Sequence, residues 1–182
     1  HEQRVTAVAF TANNSQVVTG SEDQKVRLFN VADGKVQQTI EGHGAAIRSV
    51  AIHPNGQEIT SGGTDNKIKL WKTADGSAVR EIPGHGGAIV ALEYLPGGNE
   101  LISAGDSTVR VWKAADGSQV RSINKGTGAT CMSVSRDGKL VAVGGADNKV
   151  RVFQVADGKP VTELVGQGGA ITSVFLSNDA KR

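Results

Sequence analysis

A lone cysteine, Cys131, in a chain of 182 residues excludes an internal disulfide framework and any cysteine-rich zinc site. Phe, Trp and Tyr together make up 4% of the residues, too few for repeated aromatic platforms of the kind that hold sugars. No apolar run approaches the roughly 20 residues a membrane-crossing helix needs, so no membrane partner is expected. Charge is nearly balanced, with 20 Lys and Arg against 18 Asp and Glu, and no block of one sign occurs. Nucleic acid is therefore not an expected partner, because its recognition gathers positive charge on one face. A sustained 3.6-residue apolar period is also missing, which leaves essentially no helix to expect.

Glycine is plentiful, with 24 copies, and much of it falls on a repeat. Ala-Asp-Gly recurs with its aspartate at Asp33, Asp75, Asp116 and Asp157, intervals of 42, 41 and 41 residues. The aromatics Phe29, Trp71, Trp112 and Phe153 keep the same step, and Asp23, Asp65, Asp106 and Asp147 each stand six residues before one of them. A period of about 40 to 45 residues marks a repeat array whose units bury their apolar faces only against neighbours.

The second unit shows the pattern best. Ile47 to Ile52 reads as a strand buried on both faces, with Val50 and Ile52 on one side and the small Ser49 and Ala51 on the other. Pro54-Asn55-Gly56 supplies a turn, because Asn-Gly tolerates the positive φ angles of a tight hairpin. Strands follow from Glu58 to about Gly62, from Ile68 to Lys72 and from Val79 to Ile82, separated by Thr64-Asp65-Asn66-Lys67 and Ala74-Asp75-Gly76-Ser77. Each unit is thus a four-stranded antiparallel meander, the element that stacks radially in a β-propeller.

Over its whole length the chain resembles the WD-repeat propellers of the β-transducin type. The resemblance is carried by Gly42-His43 and Gly84-His85 before the first strand, by Ser61 and Ser103 in the second, by Asp65 and Asp106 in the next turn, and by Trp71 and Trp112 in the third strand. It implies a buried hydrogen-bond network of His43, Asp65, Ser61 and Trp71 in one blade, and of His85, Asp106, Ser103 and Trp112 in the next. His1, Thr19 and Asp23 form the corresponding set of the first blade, where Phe29 has no N–H to give. Of the fourth set only Asp147 remains, with Lys125 or Gly126, Val143 and Phe153 in the other places. The Trp-Asp dipeptide that names the family is absent, since Asn30, Lys72, Lys113 and Gln154 follow the aromatics.

The expected fold is all-β, with four-stranded antiparallel blades over about residues 1–42, 43–84, 85–125 and 126–166, and a partial blade at 167–182 whose first strand is Gly168 to Leu176. Four blades and one strand read as an arc of a larger propeller. Its open ends would be covered by missing blades of the same longer chain or by a second copy.

No catalytic, cofactor or metal site is expected. His1, His43 and His85 each recur at the same place in a different unit, so they cannot converge on one metal, and His53 reads as an exposed turn residue. The Ser, His and Asp of each unit suggest a hydrolase triad, but a trio repeated in successive units is better explained by the structural network, and no G-x-S-x-G elbow is present. Cys131 beside Met132 reads as a buried, inert thiol on an inner strand. Arg27, Lys69, Arg110 and Arg151 in the third strands read as covers for apolar neighbours, with a ring of charge facing an acidic partner as the alternative.

By resemblance, the rim formed by the turns between second and third strands and by the loops that lead into each blade is the face that docks other proteins. It would present Gln24, Lys25, Asn66, Lys67, Ser107, Lys125, Asn148 and Lys149. The function this implies is a non-enzymatic protein-interaction scaffold. The alternatives are a propeller that binds a small ligand or glycan, or the propeller part of an enzyme whose catalytic domain lies elsewhere.

Overall fold

A computed structural model of the chain describes residues 1–124, 126, 128–166 and 168–177. Among the described residues there are sixteen strands and no helix, and the strands form four antiparallel sheets of four, each in simple chain order. The first sheet comprises β1 (Val5–Phe10), β2 (Gln16–Ser21), β3 (Val26–Asn30) and β4 (Val36–Ile40). The second comprises β5 (Ile47–Ile52), β6 (Glu58–Gly63), β7 (Lys67–Lys72) and β8 (Ala78–Pro83). The third holds β9 (Ile89–Tyr94), β10 (Glu100–Gly105), β11 (Thr108–Lys113) and β12 (Gln119–Asn124), and the fourth β13 (Ala129–Val134), β14 (Leu140–Gly145), β15 (Val150–Gln154) and β16 (Pro160–Leu164). Pro83 ends an outermost strand, where a missing N–H costs the ladder nothing.

The core lies between the sheets, not within them. Val18, Val26, Leu28 and Ile40 of the first blade pack on Ile47, Val50, Ile59 and Trp71 of the second. Ile68, Leu70 and Ile82 then meet Ile89, Leu92, Leu101 and Trp112, and Val109, Val111 and Ile123 meet Val134, Val141 and Phe153. Each blade therefore shows one apolar face to the blade before it and another to the blade after. At the two ends these faces are uncovered: Val8 and Phe10 of β1 are 61% and 57% exposed, and Leu164 of β16 is also exposed.

Close approach of the blades depends on missing side chains. A Cβ on Gly20, Gly62 or Gly144 would lie 2.6, 2.5 or 2.7 Å from the Cγ2 of Ile47, Ile89 or Ile171 in the following blade. Hydrogen bonds also join the innermost strands. Thr6 Oγ1 donates to the Ile47 carbonyl at 2.6 Å, Ser49 Oγ accepts from Leu92 N–H at 2.9 Å, and Glu93 Oε2 accepts from Val134 N–H at 3.0 Å.

Residues 168–177 occupy the place expected for the opening strand of a fifth blade, but they pair with no second strand and do not themselves form one. They are held to β13 by Thr130 Oγ1, which donates to the Ile171 carbonyl, and by Ser133 Oγ, which accepts from Leu176 N–H at 3.2 Å. Among the described residues no hairpin partner flanks its other side, so the segment lacks the ladder of a strand. Phe175 is left 80% exposed.

Candidate functional site

The second blade builds a chain of four side chains. Trp71 Nε1–H donates to Ser61 Oγ at 2.8 Å, Ser61 Oγ lies 2.7 Å from His43 Nε2, and His43 Nδ1 lies 2.9 Å from Asp65 Oδ2. The direction of the protons is fixed at both ends, since the indole can only donate and the carboxylate can only accept. The serine proton therefore goes to Nε2, and the imidazole is neutral with its proton on Nδ1. Burial pulls the His43 pKa below its ordinary value of 6.5 and outweighs the pull of Asp65 in the other direction. Gly42 before it has φ 147°, and a Cβ there would lie 2.7 Å from the Trp71 ring. That close approach is why glycine precedes the histidine.

The third blade repeats the arrangement with Trp112, Ser103 and His85 at 2.8 and 2.8 Å, but His85 Nδ1 is 3.3 Å from Asp106. Here the sequence reading missed a member. Thr108 Oγ1 reaches Asp106 Oδ1 at 2.8 Å and His85 Nδ1 at 3.2 Å. Asp106 follows Ser103 by three residues where Asp65 follows Ser61 by four, and this shorter spacing is the signal that the turn is rebuilt. Asp106 itself takes φ 33°. Burial works to raise the Asp106 pKa, but hydrogen bonds from Thr108 and from the Gly86 N–H hold it well below the ordinary carboxylate value.

In the first blade His1 joins Thr19 at 2.6 Å and Asp23 at 2.9 Å, as expected, and Phe29 contributes no donor. Arg27, read as a cover for apolar neighbours, instead turns its guanidinium onto Asp23 at 2.7 Å. Burial works against ionisation of Asp23, yet Arg27 and the N–H groups of Glu2 and Lys25 bring its pKa to about 2. The fourth blade replaces the network by an ion cluster. Arg151 binds Asp147 at 2.6 Å and Glu163 at 2.9 Å, and Lys149 binds Glu163 at 2.7 Å. The third-strand cations thus point back onto carboxylates of their own blade, Lys69 on Glu81 and Arg110 on Asp106 included. A free ring of positive charge is not formed.

Asp65–His43–Ser61 has the connectivity of a hydrolytic triad, but Ser61 and Ser103 are 0% exposed and each already accepts an indole N–H. No substrate carbonyl can reach either hydroxyl. Among the described residues no three side chains gather as metal ligands.

On the rim, Gln24, Asn66 and Asn148 occupy the left-handed region at φ 69°, 65° and 65°, so they serve the turns first. Gln24, Lys67 and Ser107 are exposed, while Lys25, Asn66, Asn148 and Lys149 are half-buried. Lys25, Lys67 and Lys149 pair with Glu41, Glu81 and Glu163 at 2.9, 2.7 and 2.7 Å. Thr108 takes the lysine register in the third blade and interrupts the series, and Lys125 lies outside the described residues. The rim also braces the array, because the Asn66 carbonyl accepts His85 N–H of the next blade at 3.3 Å.

His53 is not the exposed turn residue the sequence suggested. It is half-buried, its ring stands edge-on to Tyr94 with centroids 4.9 Å apart, and its Nε2 donates to the Gly98 carbonyl at 3.0 Å. Tyr94 in turn bonds Thr60 across the same interface at 2.6 Å, and burial pushes its pKa up to about 12. Cys131, expected to be buried, is half-buried on β13 against Gly144 and Ile171. The innermost strands enclose a concavity of about 1090 Å³, lined by hydroxyls such as Thr6, Ser49 and Thr130 and by Arg4 and Arg48. Both arginines are paired with Glu22.

Among known families, the model described as IFT122 first beta-propeller matches residues 4–182. No curated protein matches the chain.

Proposed function

Because the chain belongs to the IFT122 first beta-propeller family, a WD-repeat propeller family, we propose that it is a rigid, non-enzymatic scaffold that docks other proteins on the rim of turns between its second and third strands. The observation that carries this reading is a lysine at the same register of three blades, Lys25, Lys67 and Lys149, each paired with a glutamate at its own fourth strand; Glu81 and Glu163 share a register, and Glu41 stands two residues further on. Such pairs at a solvent-facing rim contribute little to stability, because solvent screens them. They are therefore available to exchange partners when a charged surface approaches, and they set orientation and encounter rate more than affinity.

The glycan alternative is not favoured. Trp71, Trp112, Tyr94 and Phe153 are all buried between blades, and the exposed Phe10 and Phe175 stand at opposite ends of the array, so no aromatic platform repeats from blade to blade.

The scaffold reading is tested by capturing partner proteins on the immobilised chain and on a variant with Lys67→Glu and Lys149→Glu. We expect the variant to recover markedly less of the proteins the native chain captures. Equal recovery by the two removes the rim as the docking face.

A further inference from the structure

The meander order places β4, β8, β12 and β16 at the outer edges of their sheets. An edge strand offers unpaired N–H and C=O groups, and proteins ordinarily guard it with charge or proline. Here β8 carries Arg80, Glu81 and Pro83, β12 carries Arg121, and β16 carries Pro160 and Glu163. Only β4, Val36-Gln37-Gln38-Thr39-Ile40, has neither.

The cleft beside this edge is also unlike its counterparts. Where the second blade meets the third, Arg80 Nη1 donates to the Ala114 carbonyl at 3.0 Å; where the third meets the fourth, Arg121 donates to the Val155 carbonyl at 3.0 Å and to Glu100 at 2.8 Å. In the first interface Gln38 stands in that register. Its Nε2 donates to the Ala74 carbonyl at 2.6 Å, and its Oε1 is buried without a partner. Next to it, Thr73 holds the register of Ala114 and Val155 and adds a hydroxyl that they lack. Thr73 is 9% exposed, and its Oγ1 also has no partner. Buried polar atoms are almost always satisfied, because an unpaired one forfeits its hydration without compensation. The two residues line one cleft of about 930 Å³, with Gln37, Gln57, Glu58 and Lys72 on its walls and Leu28 and Val79 among its lining.

We infer that β4 and the cleft between the first and second blades accept an extended segment of a partner protein, poor in charge, which adds as a strand to the β4 edge and lies over Gln38 and Thr73. Strand addition supplies affinity through main-chain bonds, and an edge without charge or proline favours a segment that carries little charge. The inference rests on the scaffold reading and adds to it a second docking place, separate from the rim lysines.

The test is selection of a phage-displayed library of random twelve-residue peptides on the chain, followed by affinity measurement on variants. Gln38→Arg copies the arrangement of the other two interfaces, so it fills the cleft without a foreign packing problem. Thr39→Lys adds the edge charge that β4 lacks. We expect the recovered peptides to be poor in charged residues, to bind each variant at least about tenfold more weakly, to bind Lys67→Glu unchanged, and to slow hydrogen exchange over residues 36–40. Failure to recover peptides, or peptides indifferent to Gln38→Arg, overturns the inference. Self-association that Thr39→Lys abolishes, with no peptide recovered, also overturns it and makes a second copy the occupant. None of these outcomes depends on whether the rim variants lose their partners, so the two readings fail separately.

Discussion

Gly62 and Ile89 form a lock between neighbouring blades: the isoleucine Cγ2 fills the 2.5 Å space in which a glycine Cβ would stand. Gly20 with Ile47 and Gly144 with Ile171 repeat it. The interface between the third and fourth blades departs from it on both sides at once. Ala104 takes the glycine register and Ala129 the isoleucine register, and the two belong to one apolar cluster. Volume is moved from one side of the contact to the other.

Gly62→Ala should therefore overpack the second interface and destabilise the chain by about 1 to 3 kcal/mol. Ile89→Ala alone should cost about 2 to 5 kcal/mol through a cavity. The double variant reproduces the Ala104 and Ala129 pair and should be more stable than the sum of the single losses allows. Urea unfolding of all four proteins checks this, and simple additivity would show that the two positions are not coupled.

Trp71→Phe removes the indole N–H that Ser61 accepts while keeping an aromatic ring, as Phe29 and Phe153 do in their blades. A loss of about 1 to 3 kcal/mol is expected. An unchanged melting temperature would mean that the bond contributes nothing.

Acid should weaken the fold in two stages. His43 is neutral when folded and its pKa lies below 6.5, so between that lowered value and 6.5 the unfolded chain binds more protons, and stability falls as pH drops below about 6.5. Asp23 follows below its ordinary 3.8, its contribution being lost as pH falls towards about 2. Unfolding midpoints measured from pH 7 to pH 2 should show both stages, and His43→Gln should flatten the first alone.

Glu93 runs in the opposite sense. Burial raises its pKa above 4.5, so its stabilising share is complete below pH 4.5 and is lost as pH rises through the folded value. Glu93→Gln keeps an oxygen to accept Val134 N–H and should raise the melting temperature at pH 7 but not at pH 4. A lower melting temperature at pH 7 would show that the charge itself is needed.

The period, the turns and the recurring His, Ser, Asp and Trp positions could be read from the sequence because they recur at fixed intervals. What a residue meets across an interface could not, because register says where a side chain stands and not what the next blade sets against it. His53 looked solvent-facing beside Pro54, yet Tyr94 and Gly98 lie a full period away and cover it. Arg27 and Arg151 were placed correctly on their strands, but the return of their guanidinium groups to Asp23 and Asp147 is a matter of side-chain direction. Thr108 entered its network only because the chain is one residue shorter before Asp106.

Most of the side-chain-to-backbone bonds that join the blades point the same way; Lys69 and Arg110, which donate to the Gly42 and Gly84 carbonyls at the end of the preceding blade, run against it. Thr6, Gln38, Ser49, His53, Arg80, Glu93, Arg121, Thr130 and Ser133 each belong to the earlier blade, and each grips the main chain of the later one. The recipient needs only a backbone in position, which any sequence provides. A completed blade thus carries its own hooks forward. During synthesis from the N-terminus each finished unit templates the one emerging behind it, and an array with this polarity can lengthen by duplication without a matching change in the newcomer.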